Sequence, residues 1–241
     1  MKNLRRLLGS ALLLVAPLVT LGATPAAADP PRPMTVTLDP GHGGSNLGAP
    51  GHVEGVREKK LTLALARLIR QRLEHDGVSV MTTRDSDVYL TLPERVRLAN
   101  AAGAAAFVSL HANATPGHET RGFKAFINSR EVNDIEAHRA GANGDLVDGM
   151  VARARVRQVA RESARLAQLL RNHLSEVRTG DLGTRQFAYD VLEGPQMPAT
   201  LLEIGFIDHP VEGVELLRPE VLRQLAGSIA EGIEDFLAHQ S

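Results

Sequence analysis

Short apolar runs rich in β-branched residues alternate with long amphipathic stretches from residue 34 onward, and such alternation restricts a chain largely to an α/β sheet. Residues 34–38 read as a strand that stops at Asp39-Pro40-Gly41, where proline and glycine oppose its extension. From 59 to 76, Leu61, Leu65, Leu68, Ile69 and Leu73 recur on one helical face, and Gly77 supplies a residue suited to a left-handed helix end. A β-branched run at 78–83 follows. Thr91-Leu92-Pro93-Glu94 has the form of a capping box, opening a helix that closes at Gly103. Residues 104–110 form another apolar strand run.

Two further strands are expected at 122–128 and 187–192. Between them lies a helix that carries Val159, Leu166, Leu170, Leu174 and Val177 on its face. Residues 199–206 make a sixth strand, and 219–238 a final helix with Leu222, Leu225, Ile229, Ile233 and Phe236 inward. The expectation is a single α/β domain with a roughly six-stranded, mostly parallel sheet flanked by about four main helices. Residues 129–157 show no clear apolar period and read as a surface excursion between strand and helix.

At 241 residues with 43% hydrophobic content, the chain can build its own core. With no cysteine, its stability has to come from burial, and any transition metal must be held by histidine and carboxylate. Residues 1–28 read as a secretory signal: Lys2, Arg5 and Arg6 precede an apolar stretch over 7–21, and Ala26-Ala27-Ala28 forms a small-residue cleavage site. The apolar stretch is broken by Gly9, Ser10 and Pro17, and it is shorter than the roughly 20 residues of a membrane span. The mature chain, 29–241, is therefore expected outside the cytoplasm, periplasmic or secreted, with no membrane span. Arg5-Arg6 leaves both general and twin-arginine export open. Cleavage removes three positive side chains and no acid, taking the formal charge from −1 to −4, which argues against a nucleic-acid partner.

Chemistry in an α/β sheet gathers past the carboxyl ends of strands, and His42 and His111 both occupy such places. Glu203 sits inside an apolar strand, where an ionised carboxylate requires a cation or a donor nearby. Two imidazoles and one carboxylate form a three-ligand zinc set with a position left for water. For the carboxylate, Glu54 and Glu58 compete on spacing alone; the helix dipole favours Glu58 ionised at its helix entrance. The Gly41-His42-Gly43-Gly44 loop could instead cradle a phosphate, although it lacks the Walker ending and the dinucleotide spacing. Asp39 or Asn113, next to histidine positions, could orient the imidazoles or simply stabilise turns. His52, His75, His118, His138, His173, His209 and His239 carry no motif and are expected in solvent.

Four blocks stand out: Leu38-Asp39-Pro40-Gly41-His42-Gly43-Gly44, Glu58-Lys59-Lys60-Leu61, Ser109-Leu110-His111-Ala112-Asn113 and Leu202-Glu203-Ile204-Gly205-Phe206-Ile207. In order and spacing they resemble the zinc-dependent N-acetylmuramoyl-L-alanine amidases, over residues 34–236. The resemblance implies that His42, Glu58 and His111 bind zinc and that Glu203 is catalytic. It implies hydrolysis of the amide between N-acetylmuramic acid and L-alanine in peptidoglycan, with release of stem peptides. Two other readings stay open: a wall-binding protein that does not cut, and a zinc peptidase acting within the stem. Some relatives carry an insertion near 129–157 that covers the metal until a protein activator removes it, and Glu131, Glu136 and His138 are the residues that could reach a metal. An ordinary surface loop is the simpler reading of that segment, and a monomer the simplest assembly.

Overall fold

The computed structural model describes residues 34–142 and 146–240; the signal segment read at 1–28 lies outside them. Six strands form one sheet: β1 (Thr35–Pro40), β2 (Ser79–Thr82), β3 (Ala106–Asn113), β4 (Phe123–Ile127), β5 (Asp181–Gln186) and β6 (Ala199–Phe206). Their spatial order is β2-β1-β3-β6-β4-β5. Every neighbouring pair is parallel except β4 with β6.

The helices are α1 (Glu58–His75), α2 (Leu92–Ala101), α3 (Arg130–Gly141), α4 (Leu146–Val177), a short α5 (Glu212–Glu215) and α6 (Pro219–Ala238). The expected start and stop signals operate. Thr91 and Glu94 close a reciprocal capping box on α2. Gly77, at φ 87°, ends α1 and lets the Val78 N–H return to the Leu73 carbonyl at 2.9 Å.

Alternation along the strands sorts side chains onto two faces. Val36, Leu38, Val108, Leu110, Leu202 and Ile204 point into the larger core layer, against Leu65 and Ile69 of α1, Leu166 and Leu170 of α4, and Ile229 and Ile233 of α6. The opposite face holds a smaller layer built from Ala99, Phe107, Phe126, Leu192, Met197 and Leu201. Asp39, Ser109, His111 and Glu203 fall on the smaller layer's side by the same period. The site is thus where that apolar layer gives way to polar residues at the carboxyl edge of β1, β3 and β6.

Two expectations need correction. The strand expected at 187–192 is not there. Pairing with β4 is made by the polar stretch Asp181–Gln186, an edge strand that needs no apolar alternation. Phe187 and Tyr189 instead pack edge-on against the Phe126 ring, and Val191 and Leu192 are buried in a 3-10 turn at Asp190–Leu192. The described residues of 129–157 are mostly helical rather than an irregular loop, comprising α3 and the first turns of α4. It hides from a periodicity reading because Ala137 is the one buried residue of α3, while Leu146, Val147, Met150 and Val151 on α4 are exposed.

Candidate metal centre

The loop after β1 is held by its backbone. Arg95, on α2, donates from Nη1 to Asp39 Oδ1 at 2.8 Å and to the Pro40 carbonyl at 2.9 Å, and from Nη2 to the His42 carbonyl at 2.7 Å. Arg84 donates to the Pro40 and Gly41 carbonyls at 2.9 and 2.8 Å, and the Thr62 hydroxyl to the Gly41 carbonyl at 2.9 Å. These bonds keep His42 at φ 61°, a conformation that L-residues adopt rarely and at a cost in strain. Gly41 is required by close approach: a Cβ there would lie 2.3 Å from the His111 ring. Three N–H groups of the loop are already committed, from Gly41 to Leu110, Gly43 to Asn46 and Gly44 to Asp87, which removes the donors a phosphate cradle would need.

This loop delivers His42, the first turn of α1 delivers Glu58, and the end of β3 delivers His111. Glu58 Oε2 lies 2.9 Å from His42 Nε2, and Glu58 Oε1 lies 2.9 Å from His111 Nδ1. One donor atom from each of the three residues falls within 4.8 Å of the others, the one such cluster among the described residues. Glu58 also accepts from the Ala49 and Ala112 amides at 2.9 and 3.0 Å. Burial opposes its ionisation, but hydrogen bonds from His111 and His42 and the charge of both rings outweigh this, holding its carboxyl far below the usual range. Burial likewise favours the neutral ring of His111, and the Glu58 hydrogen bond and charge overcome that to raise its pKa. An ionised carboxylate between two imidazoles is the donor set a divalent cation takes, in competition with protons.

Glu203 pairs in register with His111 across β3 and β6. Its Oε2 is buried without a hydrogen-bond partner. Burial, opposed by the charge on His111, pushes its pKa up to about 7. Glu203 and the three donors line one cleft of about 490 Å³, with Tyr89, Leu90 and Leu92 on one wall and Tyr189, Asp190 and Val191 on another. An orphaned carboxylate oxygen facing a three-donor cluster fits a site that holds a cation and a polar reactant.

All four expected site residues therefore meet. Glu54 is exposed and stands outside the cluster. Of the two residues considered for orienting imidazoles, Asp39 instead gathers Arg95, Thr83 and Ser109, and Asn113 Oδ1 accepts the Ala114 amide. The orienting contact comes from Asn46, whose Oδ1 lies 2.9 Å from His42 Nδ1 and leaves Nε2 facing Glu58. Its position four residues after the histidine is the one hint the sequence offered. Glu136 Oε1 accepts the Gly194 amide at 2.8 Å, and neither it, Glu131 nor His138 belongs to the donor cluster. His209, expected in solvent, is buried and accepts the Val211 and Glu212 amides at 3.1 Å.

Fold and site together define an α/β protein with a three-donor cluster, able to hold a metal ion, at the carboxyl edge of its sheet. Residues 36–235 match the family model described as N-acetylmuramoyl-L-alanine amidase. The chain is 33% identical to N-acetylmuramoyl-L-alanine amidase AmiC of Neisseria meningitidis, over 86% of this chain and 53% of that protein. It is 31% identical to the Bacillus subtilis protein YqiI over 96% of this chain and 98% of that one. The crystal structure of an N-acetylmuramoyl-L-alanine amidase from Clostridium difficile 630 superposes with a TM-score of 0.72 at 27% identity, covering 87% of this chain and 99% of that one. The chain belongs to the N-acetylmuramoyl-L-alanine amidase family. It spans about half the length of the Neisseria relative.

Proposed function

We propose that the chain hydrolyses the amide joining N-acetylmuramic acid to L-alanine in peptidoglycan, freeing stem peptides, with zinc held by His42, Glu58 and His111. The observation that carries this reading is the unpartnered Glu203 carboxylate facing the convergent donors. Bound zinc supplies Lewis acidity, which makes water a usable nucleophile near neutral pH. Glu203, with a pKa of about 7, is poised to accept a proton from the attacking water and return it to the departing alanine nitrogen. Asn46 and Glu58 fix the orientation of the two rings, and the Arg95 and Arg84 contacts keep the loop from relaxing. Family membership supports the substrate, and no helix among the described residues is long and apolar enough to cross a membrane. On this reading residues 1–28 are a secretory signal, and the mature protein acts on the wall as a monomer, periplasmic or secreted.

The test is digestion of defined wall fragments by residues 29–241, with chelator and with zinc added back, and weighing of the products. Free stem peptides that appear only with zinc are expected. Cleavage within the stem would make the protein a zinc peptidase, and binding without products a wall-binding protein. Replacing Glu203 by Ala should leave zinc content intact while turnover falls by roughly 10²–10⁴-fold, the usual worth of general acid–base help.

A further inference from the structure

Beside the site lies a cation that the reaction as described does not use. Lys124 on β4 is the antiparallel partner of Glu203 on β6. It shares the smaller-layer face with Glu203 and His111, since Phe123, Ala125 and Ile127 on the same strand all point into the larger core layer. Its Nζ stands 5.2 Å from the Phe126 ring centre and 5.5 Å from that of Phe206. Lys124 is half-buried and forms no ion pair or side-chain hydrogen bond with the described residues. Glu203 Oε2 is also unpartnered. Lys124 and Glu203 feel each other's charge without a hydrogen bond between them, and two ring faces hold the ammonium in place.

The order of strands gives that ammonium a direction. Across the sheet run His111 on β3, Glu203 on β6 and Lys124 on β4. Lys124 stands one strand beyond Glu203 and outside the lining of the cleft itself, so a peptide would meet it by leaving the donor cluster past Glu203 in the direction of β4. Antiparallel partners have Cα atoms about 4.5–5.5 Å apart, and an extended peptide advances about 3.3–3.6 Å per residue. On such a path the residue after the scissile alanine is the one that these spacings bring within reach of the Lys124 side chain.

We infer that Lys124 is a substrate-positioning residue that binds a free carboxylate on the second residue of the stem peptide. The inference rests on the amidase reading above and extends it to the leaving-group side. An ammonium–carboxylate contact orients the peptide so that the alanine nitrogen faces Glu203, and it distinguishes stems with a free carboxyl from stems in which that carboxyl is amidated.

The experiment measures kcat/KM for two muramoyl peptides that differ only in amidation of the second residue's carboxyl. It uses the zinc-loaded protein and its Lys124→Met and Lys124→Arg variants. The methionine chain keeps the packing over Phe126 and Phe206, and circular dichroism confirms its fold. The unaltered protein should prefer the free carboxylate by about tenfold, the usual range for a charged hydrogen bond that is partly open to water. Lys124→Met should bring the ratio to about one, with the loss mainly in KM, and Lys124→Arg should restore much of it. Equal rates on both substrates by the unaltered protein, or an equal fractional loss on both in Lys124→Met, would overturn the carboxylate site and leave the amidase reading standing. Failure of the unaltered protein to cleave either substrate would sink the amidase reading, and this inference with it.

Discussion

Glu203 makes folding of the metal-free protein depend on pH in the direction opposite to most carboxylates. Its ordinary pKa of 4.5 applies when unfolded, while burial raises the folded value to about 7. The folded state therefore favours the protonated acid. The associated stability is complete below about 4.5 and is lost as pH rises through about 7. A shift of that size corresponds to about 3 kcal/mol at most. With chelator present, Glu203→Gln should be little different from the unaltered protein in urea midpoint at pH 5 and clearly more stable at pH 8, because the amide carries no charge to bury. An equal difference at the two pH values would mean that water or a donor already reaches Oε2. Zinc should shrink the effect, since a nearby cation offsets the charge that burial penalises. On the proposed mechanism, the group that burial destabilises when ionised is also the one that would take the proton.

The loop between β1 and α1 shows how an element with little core of its own is fixed. Asp39 and Arg95 are 1% and 2% exposed, and Arg95 spans from the Asp39 carboxylate to the His42 carbonyl. Removing one partner from a buried pair leaves an unpaired charge, a loss of about 3–5 kcal/mol. Arg95→Met should therefore lower stability by that amount in urea titrations. It should also weaken zinc binding by roughly 10–100-fold, the range found when support behind a ligand is lost. A loss below about 1 kcal/mol would show that Thr83 and Ser109 suffice for Asp39. Much of this site was legible because period-two alternation and strand-end placement are local: His42 and His111 follow apolar strand runs, and Glu203 stands out as an acid inside one. Spacing alone left Glu54 and Glu58 both open, and only the family resemblance chose Glu58; in the fold, the Ala49 and Ala112 amides donate to its buried carboxylate. Arg84 and Arg95 had no role the sequence could assign, and Asn46 escaped notice, because arginine and asparagine near turns are ordinary and what sets these three apart is a contact made only in the fold. The strand misread at 187–192 fails for the complementary reason: its apolar residues cover a ring cluster instead of pairing, and β5, at the sheet edge, needs no apolar pattern.

On the scale of the molecule, the donor cluster joins parts of the chain that nothing local brings together: His111 lies 53 residues from Glu58. The unfolded chain has no preformed site, so a cation bound to the native cluster adds to folding stability by mass action. Free zinc at a hundred times its dissociation constant contributes about 2.7 kcal/mol. For a domain of this size, each kcal/mol moves Tm by about 2–4 °C. Zinc should accordingly raise Tm by roughly 5–10 °C over the chelated protein, and chelator should reverse the change. His111→Ala removes one donor and leaves β3 paired on both sides through its backbone, so that variant should keep its fold and lose the zinc-dependent shift. The comparison separates a cation site from a structural hydrogen-bonded triad: the Glu58 contacts to both rings would stabilise the fold without metal, and Tm would then be indifferent to zinc in the unaltered protein. A zinc response that survives His111→Ala would place the ion elsewhere, and the hydrolytic reading of the cleft would lose its support.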